Sequence, residues 1–372
     1  MNVETQTRDK DWTNIAFLTA TPVVGIVGTV WWTLVNGFSW WMPALLIGMY
    51  LLVGISICAG YHRFFSHKSY EAHPIVQVFF AFFGAMAAQN SILWWSSSHR
   101  VHHKHVDQDW DPYNIRRGFW WAHIFWIFYR NPAAASFANA PDLEKNPIVM
   151  WQHRWHKVIL ILGGFGIPTA IGAMFGDPIA GLLWGGFGRV VVIHHTTFFV
   201  NSLAHFWGKK SFSHEQSARD NWAVALLTLG EGYHSYHHRF PADFRNGILW
   251  YQWDPAKWFI AVLRSVGLAS DLKTTPAPMV EQARMEAAMR ELSARIEVSK
   301  STSYGEEIAA RLAVARQALE RALELWRLQG NLKVQSLRRA RLARKTARRH
   351  LRLARREWHA AIRLLKQLPE AA

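Results

Sequence analysis

The sequence predicts an all-α protein with three parts: a four-helix transmembrane bundle, a cytosolic helical cap rich in histidine, and a C-terminal helical hairpin. Three observations lead to this prediction: paired apolar stretches, histidines at helical spacing, and a change of composition near residue 275. Half of the 372 residues are hydrophobic and 21 are tryptophan, whose apolar ring and polar N–H suit the lipid–water boundary. We therefore expect a membrane domain over 1–275 and a separate helical extension over 276–372.

The membrane spans are predicted from two uncharged hairpins. No charged side chain occurs between Asn14 and Tyr61, which leaves room for two helices of about 20 residues around a turn at Asn36. The second pair is interrupted at Gly176, and it contains Arg189, which should face protein or water. The predicted spans are residues 14–35, 39–60, 158–175 and 178–200.

Lysine and arginine set the expected orientation. Neither hairpin tip carries a basic residue, whereas 61–157 and the region after Asn201 carry many, so both termini and both large loops should be cytoplasmic. The N-terminal residues are polar, and we expect no cleavable signal peptide. Residues 72–98 are also uncharged, but a crossing there would separate histidines that share a metal. We expect this region to lie in the interface or half-buried.

Nine of the 19 histidines form a pattern in the segments HRFFSH, HRVHH, NSLAH and GEGYHSYHH. In H-x-x-H-H, residues three and four apart lie on one helix face, so three rings should converge. Two such clusters, 135 residues apart, can close on a common point from two sides. The pair in HRFFSH is five apart and fits a helix end. The nine residues are His62, His67, His99, His102, His103, His205, His234, His237 and His238.

The number and type of these side chains restrict the metal. Imidazole binds iron, zinc, copper and nickel, but nine nitrogens exceed what one ion accepts and therefore indicate two ions. Zinc would supply no redox chemistry. The single cysteine, Cys58, excludes a cysteine-ligated iron–sulfur cluster. Only Glu231 and His234 have the Glu-x-x-His spacing, which disfavours the soluble di-iron carboxylate class.

These segments, with QN before HRVHHK and with DPYNIRRGFWWAH, resemble the membrane acyl-CoA desaturases of the stearoyl-CoA delta-9 type over residues 45–260. The resemblance implies oxygen-dependent desaturation of a long-chain fatty acyl chain, at the delta-9 position of an acyl-CoA. It implies two non-haem iron ions held by the nine histidines, with Asn201 completing the shell through a water. We accordingly expect an integral, multi-pass protein of a bacterial inner membrane, with a cytoplasmic active site.

The same resemblance implies where the substrate lies. The residues expected to line the acyl tunnel are Tyr50, Gly54, Gln89, Trp95 and Thr197. The residues expected to bind a head group are Asn90, Asn114, Arg116, Arg117 and Arg130. Ser97 and Ser98 replace the Arg-Asp pair of the animal enzymes, which leaves coenzyme A, a carrier protein and a phospholipid open as acyl carriers.

The predicted metal centre requires an electron donor and side chains that orient the histidine rings. The chain has no dinucleotide-binding glycine fingerprint, no cysteine cluster and no haem domain, so we expect a separate ferredoxin or small cytochrome as donor. The second nitrogen of each ligating ring needs an acceptor that fixes the tautomer. The candidates are Asp107, Asp109, Asp111, Asp220 and Glu231.

The C-terminal extension is basic: of the net charge of +16, residues 1–275 carry +5 and residues 276–372 carry +11. Helices are predicted over about 279–298, 306–329 and 332–367. Residues three and four apart predict a coiled-coil seam that packs on itself or on another subunit, with one charged defect at Arg344. The seam positions are Ile308, Leu312, Ala315, Leu319, Ala322 and Trp326 of the second helix and Leu337, Ala340, Arg344, Ala347, Leu351, Ala354, Trp358, Ala361 and Leu365 of the third. Nothing pairs this charge with a nucleic-acid recognition fold, so we expect no nucleic acid as a partner.

Two other functions remain open. A hydroxylase or ketolase of the same histidine-box class would place similar ligands around iron but would add oxygen to its substrate. A catalytically silent membrane scaffold would act through its coiled-coil tail. Fatty-acid mass analysis separates the first alternative, and iron content per chain separates the second.

Overall fold

A computed structural model describes residues 9–131, 135–213, 215–299, 303–331 and 337–366. These residues are mostly helical, and the described strands form one two-stranded antiparallel pairing. They fall into two compact units. The first comprises Met1–Lys209 with Gln216–Thr274, and the second comprises Lys210–Glu215 with Thr275–Ala372.

The first two helices form a hairpin of long apolar segments. Helix α1 (Trp12–Asn36) begins after Asp11, whose carboxylate accepts the backbone N–H of Asn14 at 3.1 Å. It ends at Gly37, which has a φ of +94° and so adopts a conformation that favours glycine. Helix α2 (Trp41–Ser66) returns, so the turn lies where the sequence predicted it.

A short strand and two helices follow. Strand β1 (Glu71–Ala72) precedes α3 (Pro74–Ala85), and a turn separates α3 from α4 (Ile92–His105). The 12 residues of α3 extend about 18 Å, which is short of the roughly 30 Å hydrocarbon core. No single helix therefore covers the uncharged stretch 72–98, and α3 is too short to cross a membrane by itself.

The second long hairpin follows a 3₁₀ turn at Ile115–Arg117 and three further short elements. These are α5 (Phe119–His123), a 3₁₀ turn at Phe125–Phe128 and α6 (Pro141–Glu144). Helix α7 (Pro147–Met174) and a continuous helix over 178–201, which we call α8, then pack closely. A Cβ on Gly172 would come within 2.8 Å of the Gly181 backbone, so the two helices meet through small residues.

Three helices of the described residues are long and apolar enough to cross a membrane: α1, α2 and α7. The fourth predicted span lies in α8, which is helical throughout but does not reach the same hydropathy. Arg189 of α8 is fully buried and donates to the carbonyls of Met86, Gly164 and Gly185. It therefore faces protein, as expected from the sequence.

Short helices after α8 complete the first unit. They are α9 (Leu203–Phe206), α10 (Trp222–Leu227), α11 (His234–Arg239) and α12 (Pro255–Ser265). Strand β2 (Ala269–Ser270) pairs with β1, which ties the end of the unit to the segment between α2 and α3. The short helices α9 and α11 carry histidines of the predicted site.

The second unit contains three helices, α13 (Ala277–Ser299), α14 (Ser303–Asn331) and α15 (Leu337–Lys366). Their bounds follow the predicted helices, although residues 332–336 and 367 lie outside the described part of the chain. The buried residues of the unit's apolar core are Met285, Leu312, Ala315, Ala322, Leu351, Ala354 and Trp358. All but Met285 belong to the predicted seam, and the side chains at its other positions lie outside the description.

Candidate metal centre

The first histidine pair lies where α2 widens. Ser56–Ser66 is π-helical, and the backbone N–H of His67 donates to the carbonyl of His62 at 3.2 Å, an i→i+5 hydrogen bond. A π-helical turn brings residues five apart to the same side of the helix. The helix does end here, as the spacing suggested, but the wider turn is what directs both rings to one place.

Each H-x-x-H-H segment divides between two neighbouring groups of side chains. On α4, His99 and His103 join the first group, whereas His102 joins the second. On α11 the division is reversed, because His234 and His238 join the second group and His237 joins the first. The sequence interpretation placed all three rings of a segment at a common point, and the structure corrects that to two adjacent points.

All nine histidines come together in these two groups, within each of which the candidate ligand atoms lie within 4.8 Å of one another. The first group consists of His62, His67, His99, His103 and His237, and the second of His102, His205, His234 and His238. Nε2–Nε2 distances are 2.8 to 3.0 Å in the first and 3.0 to 3.3 Å in the second. The stacked rings of His103 and His238, 4.4 Å apart, join the groups.

Two carboxylates each contact the Nδ1 atom of one histidine ring, on the side away from the centre of the group. Glu231 Oε2 lies 2.7 Å from His62 Nδ1, and Asp111 Oδ1 lies 2.8 Å from His102 Nδ1. Asp111 accepts the hydrogen bond from His102, so His102 Nδ1 must carry the proton. His102 Nε2 then presents a lone pair toward the centre of its group.

Two further residues, neither of which the sequence indicated, hold other rings. Ser217 Oγ lies 2.6 Å from His205 Nδ1 and donates to Asp107 Oδ1 at 2.5 Å, so a carboxylate reaches this ring through a hydroxyl. Tyr113 places its hydroxyl 3.3 Å from His99 Nδ1. The sequence signal for both was weak, because serine and tyrosine are common residues.

The remaining acceptor candidates contact other groups or solvent. Asp220 accepts the backbone N–H of Tyr236 at 3.2 Å, and Asp109 is exposed. Of the five carboxylates proposed from the sequence, Glu231 and Asp111 contact a ring of the two groups directly, and Asp107 reaches one through Ser217.

A buried ion-pair network supports the first group from behind. The fully buried guanidinium of Arg63 lies 2.9 Å from both Glu231 and Asp254. Burial alone would raise the pKa of Glu231, but His62 and Arg63 beside it lower that pKa to about 2. Glu231 therefore stays ionised beside His62 and Arg63.

Seven of the nine rings are neutral. Burial, followed by repulsion from neighbouring rings, lowers the pKa of seven histidines well below the ordinary value: His67, His99, His103, His205, His234, His237 and His238. Neutral imidazoles whose lone pairs face each other at about 3 Å repel unless a cation lies between them. These donors suit iron and other borderline metals, so the residues fit a metal centre.

A largely apolar cavity of about 450 Å³ adjoins the two groups. Its lining includes His62 and His99 of the first group and His102 and His234 of the second. All five predicted tunnel residues line it too: Tyr50, Gly54, Gln89, Trp95 and Thr197. The cavity volume lies within the range of small-molecule binding sites. Its lining combines residues of the long apolar helices with histidines of both groups.

Three of the tunnel residues form a hydrogen-bonded chain. Gln89 donates to Thr197 Oγ1 at 2.9 Å and accepts from Trp95 Nε1 at 3.1 Å. These bonds fix the rotamers of three residues that come from different parts of the fold. A Cβ added to Gly54 would lie 2.8 Å from Leu229 Cδ1, so the cavity is narrow at that point.

The fatty acid desaturase family model matches residues 38–262 of this sequence. The chain belongs to the fatty acid desaturase family. It is 39% identical over 288 residues to acyl-CoA desaturase 1 of Saccharomyces cerevisiae, covering 76% of this chain and 56% of that protein. It is 45% identical over 229 residues to a probable acyl-CoA desaturase of Schizosaccharomyces pombe, covering 61% and 48%. The chain spans about half the length of these two relatives.

A bacterial desaturase is also similar. The sn-2 palmitoyl-lipid 9-desaturase of Nostoc sp. is 38% identical over 247 residues, which cover 64% of this chain and 84% of that protein. The names of these three desaturases refer to acyl-CoA in two cases and to a lipid-linked chain in the third.

The predicted head-group residues of this chain do not form one group at the cavity. Asn90 lines the cavity, but the other four do not. Asn114 is buried, donates to the carbonyl of Gln108 at 2.8 Å and accepts the N–H of Arg116. Arg116, Arg117 and Arg130 are all exposed, and the guanidinium of Arg117 stacks 3.4 Å from the centroid of the Trp121 ring.

Proposed function

We propose that this chain catalyses oxygen-dependent desaturation of a long-chain fatty acyl chain. The observation that carries the proposal is that histidines of both groups line one largely apolar cavity, which extends among membrane helices. Such a cavity suits an unbranched hydrocarbon, and it brings that hydrocarbon to a centre of neutral nitrogen ligands. The name of the Nostoc relative, a 9-desaturase, supports the delta-9 position.

The ligand arrangement supports two non-haem iron ions, one in each group. The first group offers five nitrogens and the second offers four. Because the second group has one nitrogen fewer, it leaves room for a water, and Asn201 lines the cavity together with His234 of that group. We assign Asn201 to holding this water. Bound iron would supply the redox chemistry by which dioxygen and two electrons remove hydrogens from adjacent methylenes.

The protein's own residues would bind and orient the acyl chain. The hydrogen-bonded chain of Trp95, Gln89 and Thr197 would keep the cavity wall rigid beside the histidines, which fixes the methylenes that can react. Tyr50 and Gly54 would form the closed end, where free space limits chain length. The acyl group could be carried by coenzyme A, by a carrier protein or by a phospholipid. Asn90 is the head-group candidate that lines the cavity.

We further propose a membrane arrangement and partners. Helices α1, α2, α7 and α8 would form a four-helix transmembrane bundle, with the histidine cap and both termini in the cytoplasm of a bacterium. Arg189 does not oppose this arrangement, because backbone carbonyls satisfy it inside the protein. A separate ferredoxin or small cytochrome would supply electrons. Helices α14 and α15 would form the C-terminal hairpin, through which chains could self-associate.

Expression in a desaturase-deficient host tests the activity. Cells with the intact chain should gain monounsaturated fatty acids, whereas cells with His237→Ala should not, because His237 is central to the first group. His105→Ala is the matched control, since His105 lies on α4 but joins neither group. Fatty acids that gain oxygen would show a hydroxylase, and a chain that binds no iron and changes no fatty acid would show a scaffold.

A further inference from the structure

Helix α7 forms one wall of the cavity beside the two histidine groups. Four of its residues line the cavity, namely His156, Lys157, Leu160 and Ile161. Their spacing of three and four residues puts them on one face of the helix. Along this face the wall changes from charged at Lys157 to apolar at Leu160 and Ile161. Such a wall suits an amphiphile, which has a polar group at one end and a hydrocarbon chain at the other.

Lys157 brings a positive charge to this cavity. Among the described residues that line it, Lys157 is the only lysine or arginine. It is exposed, which places it where the cavity meets the surface. Glu231 also lines the cavity, but it is buried and paired with Arg63. An anionic group of a bound ligand therefore finds its cation in the lining at Lys157.

A hydrogen bond connects this part of α7 to the start of α4. His153 Nδ1 lies 2.7 Å from Ser91 Oγ, and Lys157 follows His153 by one turn. Asn90, which also lines the cavity, directly precedes Ser91. Asn90 Oδ1 accepts the N–H of Ser91 at 2.8 Å, and this bond does not use the amide N–H groups of Asn90, which can donate to a ligand. Lys157 and Asn90 therefore border the same part of the cavity.

The distance from this part of the cavity to the histidines suits an acyl chain. His99 follows Ser91 by eight residues, which is about 12 Å along α4. The first eight bonds of an extended acyl chain span about 10 Å, because three bonds of an extended polypeptide cover about 3.6 Å. A chain that reacts at carbons 9 and 10, as the proposed function requires, therefore has its carbonyl end near the start of α4.

We propose that Lys157, together with Asn90, binds a phosphate group of the acyl carrier at the opening of the cavity. The inference rests on the proposed function, because it requires an acyl chain in the cavity. Phosphate is the chemistry that the three carriers share: a phospholipid has it on the glycerol that bears the acyl chain, and coenzyme A and carrier proteins have it on the pantetheine arm. Lysine binds phosphate as a point charge, and the amide of Asn90 adds a hydrogen-bond donor.

Binding of matched ligands to the full chain, purified in detergent without oxygen or an electron donor, tests this site. Stearoyl-coenzyme A and stearoyl lysophosphatidylglycerol both carry phosphate, whereas methyl stearate has the same chain without it. Isothermal titration calorimetry should show that Lys157→Gln weakens binding of at least one phosphate-bearing ligand about fivefold. Methyl stearate should bind as before, and Lys157→Arg should restore the affinity because it keeps the charge. The phosphate-bearing ligand that loses affinity identifies the carrier.

Lys145→Gln is the matched control. Lys145 is also an exposed lysine and lies just before α7, but it does not line the cavity, so its replacement should change no affinity. Unchanged affinity of Lys157→Gln for both phosphate-bearing ligands would overturn the proposal. So would an equal loss for methyl stearate, which would show that Lys157 shapes the cavity, or an equal loss in Lys145→Gln, which would show a general charge effect.

The binding measurement separates this site from the proposed function. A chain that forms no unsaturated fatty acid in the host, but loses affinity for a phosphate-bearing ligand in Lys157→Gln, would keep the site and refute desaturation. A chain that desaturates, but whose Lys157→Gln variant binds all three ligands like the unmodified protein, would refute the site and keep desaturation.

Discussion

Replacing Asp111 by asparagine should weaken iron binding through His102. The carboxylate lies 2.8 Å from His102 Nδ1, and both side chains are 1% exposed, so no water can substitute for it. Asparagine keeps one oxygen for the ring but loses the charge that raises the basicity of Nε2. Loss of such an outer partner typically costs 10- to 100-fold in metal affinity, which is about 1.4 to 2.7 kcal/mol.

A second effect of this substitution acts on folding. Asp111 Oδ2 accepts the backbone N–H of Asp107 at 3.0 Å, and an amide nitrogen placed there would face that N–H as donor against donor. An unsatisfied buried donor costs about 1 to 3 kcal/mol. Thermal unfolding of the iron-free chain measures this cost separately from the loss of metal affinity.

Competition with a ferrous chelator measures the affinity itself. Asp142→Asn is the control, because Asp142 is also a carboxylate beside α4 but pairs with Arg100 at 2.7 Å and Lys68 at 2.9 Å. We expect the control to retain iron like the unmodified protein. If Asp111→Asn lowered the unfolding temperature but left the chelator midpoint unchanged, Asp111 would serve the fold and not the metal.

Three further predictions use matched changes. Gly54→Ala should shift products toward shorter acyl chains, because the new methyl group narrows the cavity. Gly48→Ala is the control and should not change the products, since nothing lies within 4 Å of its added Cβ. Mass spectrometry of the product chain lengths decides between these outcomes. Ser217→Ala should lower iron affinity by interrupting the link to His205, and Ser217→Thr should restore it; chelator competition that does not distinguish these variants would contradict the role. Burial opposes ionisation of Asp142, but hydrogen bonds and charges from the cations beside it hold its pKa well below the usual range. Its stabilisation is therefore complete above about pH 4 and is lost as pH falls further, so unfolding at low pH should be less pH-dependent in Asp142→Asn, and equal acid sensitivity would refute the pairing.

Composition and spacing predicted the long helices well, because an uncharged apolar run and a glycine turn determine where a membrane hairpin begins and ends. The turn at Gly37 is one example. Hydropathy alone was less informative for α8, where Arg189 and two histidines lower the average although the helix is continuous. Two of the carbonyls that accept from the buried Arg189, those of Met86 and Gly164, belong to residues far from it in the sequence. The sequence carries no signal for such contacts.

The site could be predicted as a set of residues but not as a geometry. Spacing identified the nine histidines, yet the alignment of His62 with His67 depends on a π-helical turn that has no composition signal. Ser217 and Tyr113 could not be singled out, because their contacts with His205 and His99 join segments far apart in sequence. Tertiary packing determines those contacts.

The division of each H-x-x-H-H segment, however, follows from helix geometry alone. Adjacent residues on an α-helix point about 100° apart, so His102 and His103 cannot direct their rings to the same ion. In each segment the first and last histidines are four residues apart and belong to the same group, which leaves the middle histidine for the other group. Helix α11 shows the reverse assignment, with His237 as the single ring, so each segment contributes to both groups. Because α4 and α11 each contribute to both groups, they hold the two groups of nitrogen ligands at a fixed separation, and a shift of either helix would change both groups.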